Sequence, residues 1–297
     1  SVLSTAALGS FIFWNTNIRN TFRSPSQQLD LQARYERDFK KYAELPQPKI
    51  IAIDVDVDLR PETQTMRASG TYRIRNPHAT ALSEVHIQVD DEKALTHLDF
   101  GSANDPGATL GLHDQDLGYR IYQLSQPLQP GAERDLHFTI ELKPNGFRNT
   151  MGQTQIVENG SFFNSRIFPA FGYDNRFEIA DRSDRRKRKL GEPERMPKLE
   201  NSAARANTYL GDDADWLDFK TTICTAPDQI ALAPGYLKED VMRDGRRCFS
   251  YAMDRPMLNF YAYLSARWQV KKATYTSALP GNKSIPLEVY FDPKHPY

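Results

Sequence analysis

The strongest constraint on the fold is an alternation of apolar and polar residues that begins near Lys49. Apolar side chains occupy every second position over residues 51–59, and Asp54, Asp56 and Asp58 lie between them. A period of two places the apolar side chains on one face of a β-strand and the polar ones on the other. A turn at 61–64 and a second apolar-rich stretch at 66–74 follow. The pattern predicts an antiparallel hairpin with one face in water.

Further strands are predicted along most of the chain, separated by turn-like stretches. The candidates lie at residues 85–89, 119–124, 135–142, 219–224, 229–233, 247–253 and 259–270. The 39% hydrophobic content is enough for a core, and 19 Pro, 16 Phe and 14 Tyr suit short strands joined by turns. Such a series is typical of a β-sandwich or a large curved sheet. The predicted fold class is therefore mainly β.

A helix is predicted before the first strand, in residues 24–48. Ser24 is a suitable N-cap, Pro25 suits the first helical position, and Gln27 can complete a capping box. Apolar residues then recur at spacings of three and four, on a helix whose other faces are charged. This pattern indicates either a surface helix or a stalk.

The β pattern disappears over about residues 174–215, which we interpret as an insertion of helix and loop into a β domain spanning 49–272. Residues 177–190 have the composition of a helix that ends at Gly191. The basic run 182–189 is predicted to be a solvated helix face, with an acidic lipid or an acidic partner as the alternative.

The first residues are unusual, because 2–14 are mostly apolar and end at Trp14, before a polar stretch with Arg19 and Arg23. About 20 residues are needed to span a bilayer, so this segment is too short on its own. Residues 1–23 are interpreted as the tail of a transmembrane helix and a linker, with Trp14 at the interface. The alternative is an apolar segment that packs on the domain.

Several functional classes find no support in the sequence. The 38 basic residues balance the 38 acidic ones, so the basic excess of a nucleic-acid-binding protein is absent. Asp54, Asp56 and Asp58 lack the Gly and Glu of a calcium loop and are predicted to be a solvated strand face. No pair of histidines has the spacing of a zinc peptidase site, and no serine nucleophile motif occurs. We therefore predict neither catalytic nor metal-binding residues within this chain.

The chain has two cysteines, Cys224 and Cys248, both in predicted strands. The number and spacing fit neither a disulfide framework nor a zinc ribbon. One disulfide bond and two buried free thiols remain the alternatives.

Residues 157–169 (VENGSFFNSRIFP) are similar to the signature that closes the first sheet of the aminopeptidase N family of zinc metallopeptidases, in which an Arg shortly precedes Phe-Pro. The stretches 216–219, 225–228 and 230–235 resemble that family's strand, Pro turn and Ala-rich strand. Residues 257–264 resemble the final strand of its first domain. The similarity covers about residues 49–297.

More narrowly, the chain resembles the peptidase module fused to the membrane segments of some ABC-type permease subunits. The segment 168–173 reads Phe-Pro-Ala-Phe-Gly-Tyr, where most of the family has Phe-Pro-Cys-Trp-Asp-Glu-Pro. This likeness implies an N-terminal membrane helix and an extracytoplasmic, periplasmic domain.

The family resemblance implies a saddle-shaped antiparallel β-sandwich that packs on a second, zinc-containing catalytic domain. That domain is expected to begin near Ala273, so that residues 273–297 would be its truncated start and Tyr297 a cut end. Zinc is implied for that domain and not for this chain.

The resemblance also implies a substrate-binding position just ahead of Phe168-Pro169, at Glu158, Asn159 or Gly160. In the family, an acidic or amide side chain there holds the free amino terminus of the peptide. The alternative is that Asn159-Gly160 forms a plain turn.

The predicted function is that of an accessory β domain in a membrane-tethered zinc aminopeptidase-like protein, with its own catalytic domain, a peptide and the membrane as partners. It shapes the substrate cleft and anchors the peptide's amino terminus. The alternative is a non-catalytic extracytoplasmic binding or scaffold module of a transporter.

Overall fold

The fold is mainly β, as the alternation predicts. A computed structural model describes residues 2–89, 94–101, 107–147, 154–194, 196–205, 210–211, 213–277 and 283–294. Its helices are α1 (Val2–Phe13), which continues as a π-helical segment (Trp14–Arg19), α2 (Pro25–Phe39), α3 (Arg182–Lys187) and α4 (Ser202–Arg205). Its strands are β1 (Lys49–Arg60), β2 (Thr65–Arg75), β3 (Leu82–Gln88), β4 (Leu95–Asp99), β5 (Ala108–Asp114), β6 (Tyr119–Leu128), β7 (Glu133–Leu142), β8 (Ser161–Asn164), β9 (Ala170–Phe171), β10 (Ala214–Thr225), β11 (Ile230–Leu232), β12 (Tyr236–Arg243), β13 (Arg246–Ala252), β14 (Met257–Leu258), β15 (Ala262–Ala266), β16 (Gln269–Thr276) and β17 (Ser284–Phe291).

The strands form four sheets. The largest has the order β12-β13-β10-β1-β2-β7-β4, with β14 beside β10. A four-stranded sheet has the order β5-β6-β3-β9, a three-stranded one β11-β15-β8, and β16 pairs with β17. The predicted hairpin is confirmed, because β1 and β2 are antiparallel and joined by a short turn in which Gln64 has φ 55°.

The large sheet contains one parallel pair that the alternation does not predict. β1 runs parallel to β10, with Val55 opposite Thr221 and Val57 opposite Ile223. The other strand pairs among the described residues are antiparallel. A parallel pair cannot be closed by a tight turn, so the intervening chain must cross from one side of β1 to the other.

A single core joins three of the sheets. It contains Val55 from the large sheet, Val85 from the four-stranded sheet and Tyr263 from the three-stranded one, all fully buried. The aspartates of β1 lie on the opposite, wetter face. Lys220 pairs with Asp54 at 2.7 Å and Arg246 with Asp58 at 3.2 Å.

The two cysteines are joined in a disulfide bond. Cys224 of β10 and Cys248 of β13 are opposite each other in the strand register, with Cα atoms 3.9 Å apart. The bond ties two neighbouring strands of the large sheet together and settles the choice between one disulfide and two free thiols.

Helix α2 forms where the capping pattern predicts. The Ser24 hydroxyl accepts a hydrogen bond from the Gln27 backbone amide, and the Gln27 side chain accepts one from the backbone amide of Ser24. Its apolar stripe packs on β6, where the Phe39 ring stacks on Tyr119 with 4.0 Å between centroids. The helix is therefore a packed surface helix and not a stalk.

The helix predicted at residues 177–190 is wrong in extent, since only α3 is helical there. The Asp181 carboxylate caps its start, and Lys189 has φ 56° just after its end. The chain on both sides folds back onto Arg185, whose guanidinium donates to the backbone carbonyls of Ile179 and Gly191. The insertion ends where β10 begins, at Ala214.

The basic run is not wholly solvated, because Arg185 is only 2% exposed. Its guanidinium donates two hydrogen bonds to the Glu36 carboxylate of α2, at 2.5 and 2.9 Å. Arg188 pairs with Asp30 of the same helix at 2.8 Å. This part of the insertion therefore fastens α2 to the domain.

At the N-terminus, every residue of α1 is exposed. The π-helical segment that follows is held to the domain by Asn20, whose side-chain amide donates to the backbone carbonyl of Asn145 at 2.6 Å. None of the described helices is long and apolar enough to cross a membrane.

We expect the substitution Arg185→Met to lower the free energy of unfolding by about 3–5 kcal/mol, because it leaves the Glu36 carboxylate buried without its partner. Urea denaturation measures this loss. The matched control is Arg186→Met, since Arg186 is the next residue and is exposed; its effect should stay within about 0.5 kcal/mol. Equal effects of the two substitutions would show that the buried pair does not hold the insertion on α2.

Candidate functional site

The three predicted substrate-binding residues lie in the loop immediately before β8. Ser161, the first residue of β8, shapes this loop: its hydroxyl donates to the Val157 carbonyl at 3.0 Å and accepts from the Val157 amide at 3.2 Å. The backbone of Gly160 has φ 104°, a conformation that residues other than glycine rarely adopt. The loop is therefore a defined turn.

Two of the three residues hold the loop in place. The Asn159 side-chain oxygen accepts a hydrogen bond from the Arg267 backbone amide at 2.8 Å. The Gly160 amide donates to the Ser265 carbonyl at 3.3 Å. The Gln229 side chain donates to the Glu158 carbonyl at 2.7 Å. Among these three residues, the Glu158 carboxylate is therefore the group that is available to bind a ligand.

The Glu158 carboxylate belongs to a cluster of three charges. Its side chain is 78% exposed and lies 3.5 Å from the Arg267 guanidinium, which also pairs with Asp228. The hydrogen bond that the Arg267 guanidinium donates to the Asp228 carboxylate raises the pKa of Arg267, and Glu158 adds to this effect. Two carboxylates against one guanidinium leave a net negative charge, which suits a bound cation.

A surface pocket of about 370 Å³ opens beside Glu158. Its walls are the β1–β2 turn at 61–64, the turn residues Ala226 and Gln229, Glu158 and Arg267. Glu62, in the 61–64 turn, also lines this pocket, and its side chain is 54% exposed. A carboxylate at the mouth of a pocket can accept hydrogen bonds from an ammonium group.

The sequence analysis did not identify Arg267 as part of this site. It lies just after β15, more than a hundred residues from Glu158, and meets it because β15 pairs with β8. No local motif marks Arg267, so only the strand register could have predicted the contact.

The Phe-Pro signature has a packing role in this structure. Phe168 is 1% exposed, and its ring lies 5.6 Å from Tyr261 and 5.8 Å from Phe138. Gly172 donates its amide to the His86 carbonyl, and the Tyr173 ring stacks on Tyr35 of α2 at 4.9 Å. The segment 168–173 therefore links the central core to α2.

His86, Glu84 and Tyr119 form a hydrogen-bonded chain that the sequence analysis did not single out. The two ring nitrogens of His86 lie 2.8 Å from the Tyr119 hydroxyl and 2.7 Å from Glu84. His86 and Tyr119 are both fully buried. Burial lowers the pKa of His86, although the Glu84 carboxylate acts in the opposite direction. The Tyr119 ring also packs on Tyr35 and Phe39 of α2, so this hydrogen-bonded network stabilises the contact between β6 and α2.

The described residues contain no group of three or more side chains able to hold a metal ion. Both cysteine sulfurs are taken up by the disulfide bond. The described residues therefore do not provide the three or four ligands that a zinc ion needs. We assign no chemical step to zinc bound by these residues.

The hairpin β16–β17 presents an apolar face to solvent. Tyr275 is paired with Ile285 and Ala273 with Leu287, so these side chains share one face. The exposed fractions are 53% for Tyr275, 42% for Ile285, 46% for Leu287 and 59% for Val289. Residue 273, the predicted start of the second domain, lies in the middle of β16.

Comparison with known proteins relates this fold to peptidases. The sequence matches no protein-family model and no curated protein. The M1 zinc metallopeptidase of Deinococcus radiodurans aligns with 83% of this chain and 48% of its own, at 11% identity and a TM-score of 0.48. A mutant of that enzyme bound to a Tyr-Ser-Ala substrate aligns with 82% and 47%, at 12% identity and a TM-score of 0.47. Aminopeptidase A of Legionella pneumophila, in complex with aspartic acid, aligns with 86% and 25%, at 15% identity and a TM-score of 0.50.

The fold is similar to that of part of the Legionella pneumophila aminopeptidase A. At these identities the similarity concerns the fold alone, and it agrees with the β domain that the aminopeptidase N resemblance implies. The chain spans less than half the length of these structures. The narrower likeness to modules of ABC-type permeases remains a prediction.

We expect the free energy of unfolding to fall as the pH is lowered below about 6.5, the usual pKa of histidine. Since burial lowers the pKa of His86 in the folded state, the unfolded chain binds a proton more readily in this range, and acid favours unfolding. Urea denaturation across this pH range measures the slope. His86→Gln should flatten it, whereas His113→Gln, at an exposed position, should leave it unchanged. The same slope in wild type and His86→Gln would contradict this assignment.

Proposed function

We propose that this chain is the accessory β domain of a membrane-tethered zinc aminopeptidase-like protein. The observation that carries the proposal is the exposed apolar face of β16–β17. Neither strand of this hairpin has a buried residue, and in the described part of the chain the two strands pair only with each other. A contiguous apolar surface of this kind marks a site of association. The proposed occupant is the catalytic domain of the same protein.

In this proposal, Glu158 anchors the amino terminus of the peptide. Its carboxylate is exposed at the pocket mouth, and the cluster around Arg267 retains a net negative charge. An ammonium group gains charge-assisted hydrogen bonds there, while an acylated terminus does not. The preference for free amino termini would thus come from this domain.

The chemistry itself belongs to the proposed catalytic domain, where zinc would activate the water that attacks the peptide carbonyl. The residues of this chain orient the peptide. They bind its amino terminus at Glu158 and fix the loop through Asn159 and Gly160.

We further propose that the domain lies outside the cytoplasm and is tethered by its N-terminal segment. The Cys224–Cys248 disulfide supports an oxidising compartment, because such bonds form and persist there. The exposed apolar residues of α1 support the tether.

The second candidate is a transporter's binding or scaffold module that hydrolyses nothing. It draws on the same pocket, in which Gln229 and Arg267 lie beside Glu158 and offer amide and charged groups to a peptide. A peptide could bind there without a catalytic domain.

The test compares this chain with a form extended past residue 297 by about 250 residues, the size of a typical second domain. Zinc content and hydrolysis of aminoacyl substrates are measured on both. We expect the long form to bind one zinc ion and to cleave, and the short form to do neither. A long form that neither binds zinc nor cleaves would refute the peptidase proposal and favour the scaffold module.

Within the extended form, Glu158→Ala tests the anchor. We expect KM for a substrate with a free amino terminus to rise by about tenfold or more, as for loss of a hydrogen bond to a charged group. The control is Glu62→Ala, because Glu62 is a second carboxylate that lines the same pocket. Equal changes for both variants would place the anchor elsewhere.

A further inference from the structure

We propose that the loop at residues 143–147, which follows β7, lies on the surface of a phospholipid bilayer and seats the β domain on the membrane in one fixed orientation. This inference rests on the proposed N-terminal tether and adds a second membrane contact within the β domain itself. It is built from the contacts between this loop and the first twenty residues.

Helix α1 is apolar on all of its faces. Its sequence is VLSTAALGSFIF, and its residues are exposed all around the helix. A helix that lies flat on a membrane has one apolar and one charged face, whereas α1 has no charged residue. This composition fits a helix that enters the hydrocarbon rather than one that lies flat on the surface.

The polar side chains that follow α1 fold back onto the helix. The side-chain amide of Asn15 donates to the Phe11 carbonyl at 3.1 Å, and the Thr16 hydroxyl donates to the Ile12 carbonyl at 2.8 Å. A polar group without a partner in hydrocarbon costs several kcal/mol. Because both side chains already have partners within the helix, they suit a turn at the edge of the apolar layer.

The 143–147 loop is clamped to this same turn. The Asn20 amide donates to the carbonyls of Asn145 and Phe147, and Arg19 donates to the Asn145 side chain at 2.8 Å. Gly146 has φ 65°, and a side chain there would approach the Asn15 amide oxygen within 2.2 Å. The clamp fixes the direction of α1 relative to the β domain.

Aromatic and basic side chains gather at this level. Phe147 is 41% exposed, and its ring packs 5.8 Å from Phe11 of α1. Trp14 and Phe22 are also exposed, and the Arg19 guanidinium lies over the Trp14 ring. Arg19 has no carboxylate partner in the part of the chain that the structure describes. Exposed aromatic side chains beside an arginine that no described carboxylate neutralises are the composition found at the headgroup level of membranes.

The first experiment is hydrogen exchange of the full chain with and without vesicles of phosphatidylcholine and phosphatidylglycerol. We expect the amides of 143–147 to become protected on binding, along with those of α1. The turn at Asp244-Gly245, between β12 and β13, should exchange as before and serves as the internal control.

The second experiment compares two exposed phenylalanines in vesicle partitioning. Phe147→Ser should weaken binding by about threefold to tenfold, as expected when part of an aromatic side chain no longer leaves water. Phe162→Ser is the matched control, since Phe162 is 50% exposed and lies on β8; it should bind as the wild type does. Circular dichroism confirms that both variants are folded.

Three results would overturn the inference. Two of them would mean that the tether exists without the second contact: protection of α1 with unchanged exchange at 143–147, and equal partitioning of Phe147→Ser and Phe162→Ser. No binding to vesicles by the wild type would refute the tether as well, while leaving the zinc and hydrolysis test unaffected.

Discussion

The parallel pairing of β1 with β10 is the interaction on which the rest of the structure depends. It joins two strands about 165 residues apart in the chain, and side chains reinforce it: the Thr221 hydroxyl donates to the Val55 carbonyl at 2.6 Å. Because β1 also pairs with β2, it lies in the middle of the large sheet. The described strands between β2 and β10 therefore either extend this sheet, as β7 and β4 do, or belong to the smaller sheets.

The same pairing also creates the candidate site. The end of β1 leads into the 61–64 turn, and the end of β10 leads into the 226–229 turn. Because the two strands are parallel, both turns lie at the same end of the strands. The loop with Glu158 completes the pocket through the pairing of β8 with β15. The pocket is thus a consequence of strand register, which explains why its residues come from four separate parts of the sequence.

Local patterns predicted local structure well. The alternation in 51–59 predicted β1 and its hairpin, and the Ser24–Gln27 box predicted the start of α2, because both depend on neighbouring residues alone. The parallel pair and the Arg267 contact could not be predicted, since they join distant strands with no motif. The extent of α3 was missed because Asp181 caps its start and the chain on both sides folds back onto Arg185, whose guanidinium donates to the carbonyls of Ile179 and Gly191. For the site, the resemblance led to the loop at 158–160, but only the structure separates the exposed carboxylate of Glu158 from the loop-holding roles of Asn159 and Gly160.

We propose that a catalytic domain covers the apolar face of β16–β17, and hydrogen exchange of the amides of β16 and β17 tests this most directly. A lone two-stranded hairpin is marginally stable in water and opens locally. In the chain ending at residue 297 we expect its amides to exchange much faster than those of β1 and β2. In the form extended by about 250 residues, their exchange should slow by about tenfold or more, while β1 and β2 stay unchanged. The same rapid exchange of the hairpin in both forms would contradict the account.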